Sequence, residues 1–167
     1  MGATGTRAIE LLRRAGIDHR VHAYDATERH GRARDGRPAY GLEAAEALGV
    51  AADRVYKTLV ASVDEHLVLA VVPVAGELDL KLLADALGGR RADLAEPDVA
   101  ERATGYVIGG ISPLGSRRPL PVVLDAGAAA HETVFVSAGR RGLQLELAPS
   151  DLARLARATL AHIRRDH

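Results

Sequence analysis

The sequence predicts an α+β domain built on a mixed sheet, and three observations carry that expectation. Amphipathic segments with helical spacing lie between β-branched, apolar segments with strand spacing. Two of the longest apolar runs, 57–63 and 66–74, are separated only by Asp64-Glu65, which reads as a tight hairpin. Helical and extended segments alternate irregularly, so hairpins are mixed with helical connections and the sheet is not purely parallel.

Thr6 is placed to cap a helix through Ala15, with Ala8, Ile9, Leu11, Leu12 and Ala15 on its inner side and Gly16 as its stop. Residues 19–24 read as a strand. The stretch 26–38 is polar and arginine-rich, and reads as a mobile loop containing Arg29 to Arg37. Leu42, Ala44, Ala45 and Leu48, ending at Gly49, predict a short second helix. After the hairpin, Asp79 caps a helix from Leu80 to Leu87, and Gly88-Gly89 stops it. Pro97 suits the first turn of another helix reaching Ala103. Residues 121–125, 133–137 and 142–147 predict three strands, the last two joined by Ala138-Gly139-Arg140-Arg141. Ser150 is expected to cap a final helix to about Arg165. With no internal repeat and no linker, one domain over residues 1–167 is expected.

Composition excludes several functions. There are 22 basic and 22 acidic residues, so the chain lacks the positive excess on which nonspecific nucleic-acid binding depends. Cysteine is absent, which removes thiolate nucleophiles and cysteine-ligated zinc. The longest apolar run, Leu67 to Ala75, is too short to span a bilayer, and the N-terminal segment is amphipathic from its start. A cytoplasmic protein that engages no membrane is expected. The seven histidines show no His-Glu-x-x-His pattern, and none of the readings calls for a metal or another cofactor.

Two features could carry chemistry. The segment from Thr104 to Gly115 pairs Gly109 and Gly110 before Ile111-Ser112-Pro113, and bare glycine amides of this kind let backbone N–H groups approach a carbonyl or phosphate oxygen. The same pattern also suits a strand end followed by a turn. It is not a phosphate-binding P-loop, because Ser116-Arg117 follow where Lys-Ser or Lys-Thr is required. It is not a nucleophile elbow either, because proline follows Ser112. The second feature is lysine. Only Lys57 and Lys81 interrupt an otherwise arginine-only set of basic residues, so a lysine here can mark a need for a compact ammonium. Lys57 opens an apolar strand, where its head points either into a cleft or into solvent.

Four runs in order, Asp53 to Leu59, Pro73 to Lys81, Thr104 to Gly115 and Val136 to Leu143, resemble the bacterial YbaK/EbsC family, in particular its freestanding deacylases. The resemblance spans nearly the whole chain and extends to the editing domain inserted in bacterial prolyl-tRNA synthetases. It implies a mostly antiparallel, barrel-like mixed sheet with helices packed around it. It also implies metal-free release of an amino acid from the 3′ CCA end of a mischarged tRNA, with Cys-tRNA(Pro) as the preferred substrate. Ala- or Ser-tRNA and a non-catalytic module that binds aminoacyl-tRNA or a synthetase are the alternatives. By this likeness Lys57 matches the essential lysine, Gly109 and Gly110 hold the ester carbonyl, and Ile111, Ser112 and Pro113 complete that loop. Tyr24, Tyr40, Tyr106, Ser137 and Gly139 would line the pocket. The substrate's own thiol would attack its ester, which fits a sequence with no evident protein nucleophile. A transient complex with prolyl-tRNA synthetase is the expected partnership.

Overall fold

Thr6 accepts the Ile9 N–H at 3.2 Å and so caps α1 (Arg7–Ala15), which Gly16 ends in the left-handed conformation. In the computed structural model, which describes residues 5–26 and 40–166, this helix is followed by β1 (Arg20–Ala23) and α2 (Tyr40–Leu48). The arginine-rich loop expected over residues 26–38 lies, apart from Ala26, outside the described residues.

The hairpin forms as β2 (Tyr56–Val63) and β3 (His66–Pro73). Its two turn residues, Asp64 and Glu65, adopt φ of 47° and 70°, the doubly left-handed turn whose twist matches that of paired strands. The Asp64 carboxylate accepts the Arg90 and Arg91 N–H groups at 3.0–3.1 Å, which holds the turn. Downstream lie β4 (Gly76–Leu78), α3 (Leu80–Ala86), β5 (Ala92–Leu94), α4 (Pro97–Thr104) and β6 (Val122–Asp125). Asp79 caps α3 through the Leu82 N–H. A 3₁₀ helix (Ala126–Ala130) then leads to β7 (Val134–Arg140), β8 (Leu143–Leu147) and α5 (Pro149–Ala156), and β9 (Thr159–Ala161) and β10 (Arg164–Asp166) follow.

The main sheet runs β5-β2-β3-β6-β9, antiparallel through β3 and parallel beyond it. A second, antiparallel sheet runs β1-β8-β7, and β10 pairs with β4. The Val55–Phe135 bridge ties the two larger sheets together. Between them lies the main core: Tyr56, Val60, Leu69 and Val71 face Val134, Val136, Leu143, Leu145 and Leu147, with Ile9 and Leu12 of α1 closing one side. The opposite face of β2–β3 packs Ala61, Val68, Ala70 and Val72 against Leu83 and Ala84 of α3. Burial on both faces explains why these strands read as continuous apolar runs instead of alternating ones.

Two expectations are corrected. Ser150 does not cap a helix to Arg165. Ala148 takes the cap position with Pro149 in the first turn, and Arg157 ends α5 in the left-handed conformation (φ 53°). Residues beyond it pair parallel to β6 and antiparallel to β4, and these long-range ladders override the helical look of the segment. Ile163, fully buried between the two strands, donates its N–H to Asp125 Oδ1 at 3.0 Å. Likewise Ala138-Gly139-Arg140-Arg141 is not a connector. β7 continues to Arg140 through a bulge after Ser137, and the turn shrinks to Arg141-Gly142, with Gly142 at φ 89°.

Candidate active site

β5 covers only the distal end of β2, pairing with Ala61–Val63, and the last bond of that edge runs from Ala95 N–H to Val60 O at 2.9 Å. Among the described residues, no strand therefore pairs with that side of β2 in the half that begins at Tyr56, and a cavity of about 590 Å³ opens beside it. β2 contributes Lys57 and Thr58 to its wall; Tyr24, Tyr40, Ser137 and Gln144 arrive from β1, α2, β7 and β8 or their ends. Ile108, Gly109 and Ile111 supply the loop side, and Glu77 and Arg165 of the paired strands β4 and β10 close another.

Two glycines set how closely these walls approach. A side chain on Gly41 would meet Val74 Cγ1 at 2.1 Å, with Lys57 Cβ at 3.9 Å, so α2 can rest on the ends of β2 and β3 only through glycine. Gly109, at φ 91°, lies under the Tyr40 ring, where an added Cβ would stand 3.0 Å from Cδ2. The Arg141 guanidinium also lies over the Tyr40 ring, 4.8 Å from its centroid, and 3.6 Å from Glu43 Oε1. Tyr40 is thus in contact with both the glycine loop and the β7–β8 turn.

Of the residues expected at the site, Lys57, Gly109, Tyr24, Tyr40, Ile111 and Ser137 stand on the cavity wall. Gly110, Tyr106, Ser112, Pro113 and Gly139 do not, and each has another task. The Gly110 N–H donates to Val107 O at 2.9 Å, and a Cβ there would meet Arg141 N at 2.8 Å. The expected pair of bare amides therefore reduces to Gly109, while Gly110 seats the loop against the β7–β8 turn. Tyr106 donates from its hydroxyl to Leu114 O at 2.7 Å, with Arg7 over its ring and Gly139 against its edge. Ser112 is fully buried, its Oγ accepting the Leu114 N–H at 3.3 Å, and Pro113 is buried beside it. Gly139 donates to Ser137 Oγ at 3.1 Å, which orients that hydroxyl from behind the cavity.

Thr58, Gln144, Gly41, Glu77 and Arg165 were not expected at the site. Gln144 and Glu146 alternate with the leucines of β8, a pattern that reads as a solvated face. Only its pairing with Ser137 in the folded sheet brings Gln144 to the cavity.

Burial raises the Tyr24 phenol above its ordinary value, although Gly142 hydrogen-bonds it, and burial beside the Asp125 carboxylate pushes Tyr56 up to about 12. Both phenols remain protonated donors at neutral pH. Among the described residues, no three of His, Cys, Asp or Glu gather as a metal site would require, and no helix is long and apolar enough to cross a membrane.

The chain matches the aminoacyl-tRNA editing domain family over residues 38–155. A protein of Enterococcus faecalis named as a Cys-tRNA(Pro)/Cys-tRNA(Cys) deacylase, EbsC, is 40% identical over 71% of this chain and 73% of its own. A multifunctional Ser/Thr-tRNA deacylase of Escherichia coli, ProXp-y, is 31% identical over 97% of this chain and 93% of its own. Among solved structures, one described as a trans-editing enzyme for prolyl-tRNA synthetase superposes with a TM-score of 0.77 at 26% identity, covering 95% of each chain.

Proposed function

Because this chain belongs to the aminoacyl-tRNA editing domain family, we propose that it is a trans-editing deacylase that releases cysteine from mischarged Cys-tRNA(Pro). The observation that carries this reading is a single cavity walled by Lys57 on one strand edge and by Gly109 on the glycine loop. The volume admits the terminal aminoacyl-adenosine of a tRNA. The domain extends over residues 1–167, works in the cytoplasm and needs neither metal nor other cofactor.

The residues have separate tasks. The Lys57 ammonium anchors the terminal nucleotide or the aminoacyl ester, and Gly109, with Ile111 beside it, brings backbone close to the ester carbonyl, where negative charge develops. Tyr24, Tyr40 and Ser137 line the remainder of the pocket. The substrate thiol attacks the ester carbon, the bond from that carbon to the ribose oxygen breaks, and the thiol proton passes to the leaving oxygen. The product is a four-membered thiolactone that water then opens. Holding thiol and ester in attack geometry is worth about 7–11 kcal/mol, and one donor on the developing oxyanion adds about 3 kcal/mol. A protein nucleophile is not required.

A neutral chain has little charge with which to select one tRNA, so prolyl-tRNA synthetase supplies that selection in a transient complex. A second reading, release of Ser or Thr, is favoured by the polar side chains Thr58 and Gln144 on the cavity wall and by the likeness to ProXp-y. The deciding experiment measures release from Cys-, Ser- and Ala-tRNA by the unaltered protein and by Lys57→Ala. Loss of about 10²–10³-fold is expected in the variant, the size of removing one charge-stabilising donor. Equal rates from the two proteins would end the role given to Lys57.

A further inference from the structure

Two residues of the cavity wall each carry a buried side-chain oxygen with no hydrogen-bond partner among the described residues: Gln144 Oε1 and Thr58 Oγ1. Gln144 is only 7% exposed. Its amide also lies near enough to the Tyr24 phenol to favour the ionised ring, the sense in which an amide nitrogen acts as donor. A nitrogen turned that way leaves the oxygen as the acceptor of the side chain. On the neighbouring strand, Ser137 is paired with Gln144 in register, and its hydroxyl is already held by Gly139. A buried acceptor left unmatched is costly, and a ligand that brings a donor recovers that cost.

We infer that Gln144 is a specificity-determining residue, its amide oxygen accepting a hydrogen bond from the side-chain thiol or hydroxyl of the aminoacyl group, with Thr58 as a second acceptor. This inference rests on the deacylase reading and deepens it. A site built to bind a donor rejects the analogue that lacks it, because the site's own polar groups are then stranded. Cysteinyl and seryl groups satisfy the amide, whereas an alanyl group fills much the same space and does not. For the cysteinyl ester the same bond orients sulfur: the thiol proton rests on Gln144 before reaction while a sulfur lone pair faces the ester carbon, and the proton then passes to the leaving ribose oxygen.

The test uses adenosine carrying Cys, Ser or Ala through a 3′ amide, which binds without being cleaved, titrated calorimetrically into the full chain. The unaltered protein is expected to bind the Cys and Ser compounds at least about 10-fold more tightly than the Ala compound. Gln144→Leu is expected to bind all three alike, and Gln144→Glu, which offers only acceptor oxygens, to keep the preference. Thr58→Val, close to isosteric, lowers the preference without altering the fold and so serves if Gln144→Leu does not fold. Gln144→Leu retaining the preference, or weakening all three compounds equally, would overturn the inference. Binding with the expected preference but no release from any charged tRNA would instead remove the deacylase reading and leave this one standing.

Discussion

Tyr106→Phe separates a residue that shapes the pocket from one that props up its loop. In the structure the Tyr106 hydroxyl donates to Leu114 O at 2.7 Å while the Arg7 guanidinium of α1 lies over the ring, so this side chain joins the glycine loop to the first helix. Tyr106 is 6% exposed and Leu114 1% exposed, so no water replaces the lost hydroxyl. Stranding a buried carbonyl costs about 1–3 kcal/mol, more than the net worth of an average hydrogen bond. Taking about 2 kcal/mol, a domain of this size loses roughly 4–8 °C in Tm. The assay is thermal unfolding followed by circular dichroism, with deacylation of Cys-tRNA(Pro) measured well below the new Tm. Stability is expected to fall while the rate at that temperature stays within about threefold. A variant with unchanged Tm and a rate lowered by tenfold or more would refute the reasoning, because Tyr106 would then touch the substrate.

The other expected outcomes concern the loop contact and the acid limb of stability. Gly110→Ala places a Cβ 2.8–2.9 Å from the Arg140 and Arg141 backbone, so the loop and the β7–β8 turn must part. A stability loss of about 1–3 kcal/mol is read as a lower urea midpoint at unchanged slope, and deacylation falls with it; unchanged values for both would show that the two backbones are not in contact. Glu146 is held below its usual 4.5, first by the Thr133 hydroxyl at 2.6 Å and then by His22 and Arg54. A carboxylate depressed in the folded state adds stability that is complete above its ordinary value and disappears as pH falls through the folded one. Thr133→Val removes the largest cause, so urea unfolding across that acidic range should show lower stability near neutrality and a shallower loss on acidification.

Local chemistry was legible in the sequence wherever a few neighbouring residues settle the conformation. Thr6 and Asp79 cap helices and Gly16 stops one without help from distant parts of the chain, and Asp64-Glu65 adopts the hairpin turn that Arg90 and Arg91 then hold. The short strands β4, β5, β9 and β10 were not legible, because three residues have no periodicity and become strands only through partners far away in sequence. The site divided in the same way. Lys57 stood out as one of two lysines, and Gly109 as half of a glycine pair. Gly110 looked equivalent to Gly109, yet a turn bond and the Arg140–Arg141 backbone claim it. Gln144 was hidden because parity along β8 says only that it leaves the leucine face, not that the other face is walled in by Tyr24 and Ser137.

The ladder between β4 and β10 joins residues 76–78 to 164–166, and the same two strands furnish Glu77 and Arg165 to the cavity. One side of the pocket is therefore finished only by residues that leave the ribosome nearly ninety positions after their partners. A nascent chain that has already formed its central hairpin still lacks a complete binding chamber. On the proposed function, editing capacity waits for β10 to join β4, and proteolytic removal of β10 is expected to abolish it while most of the fold stays intact.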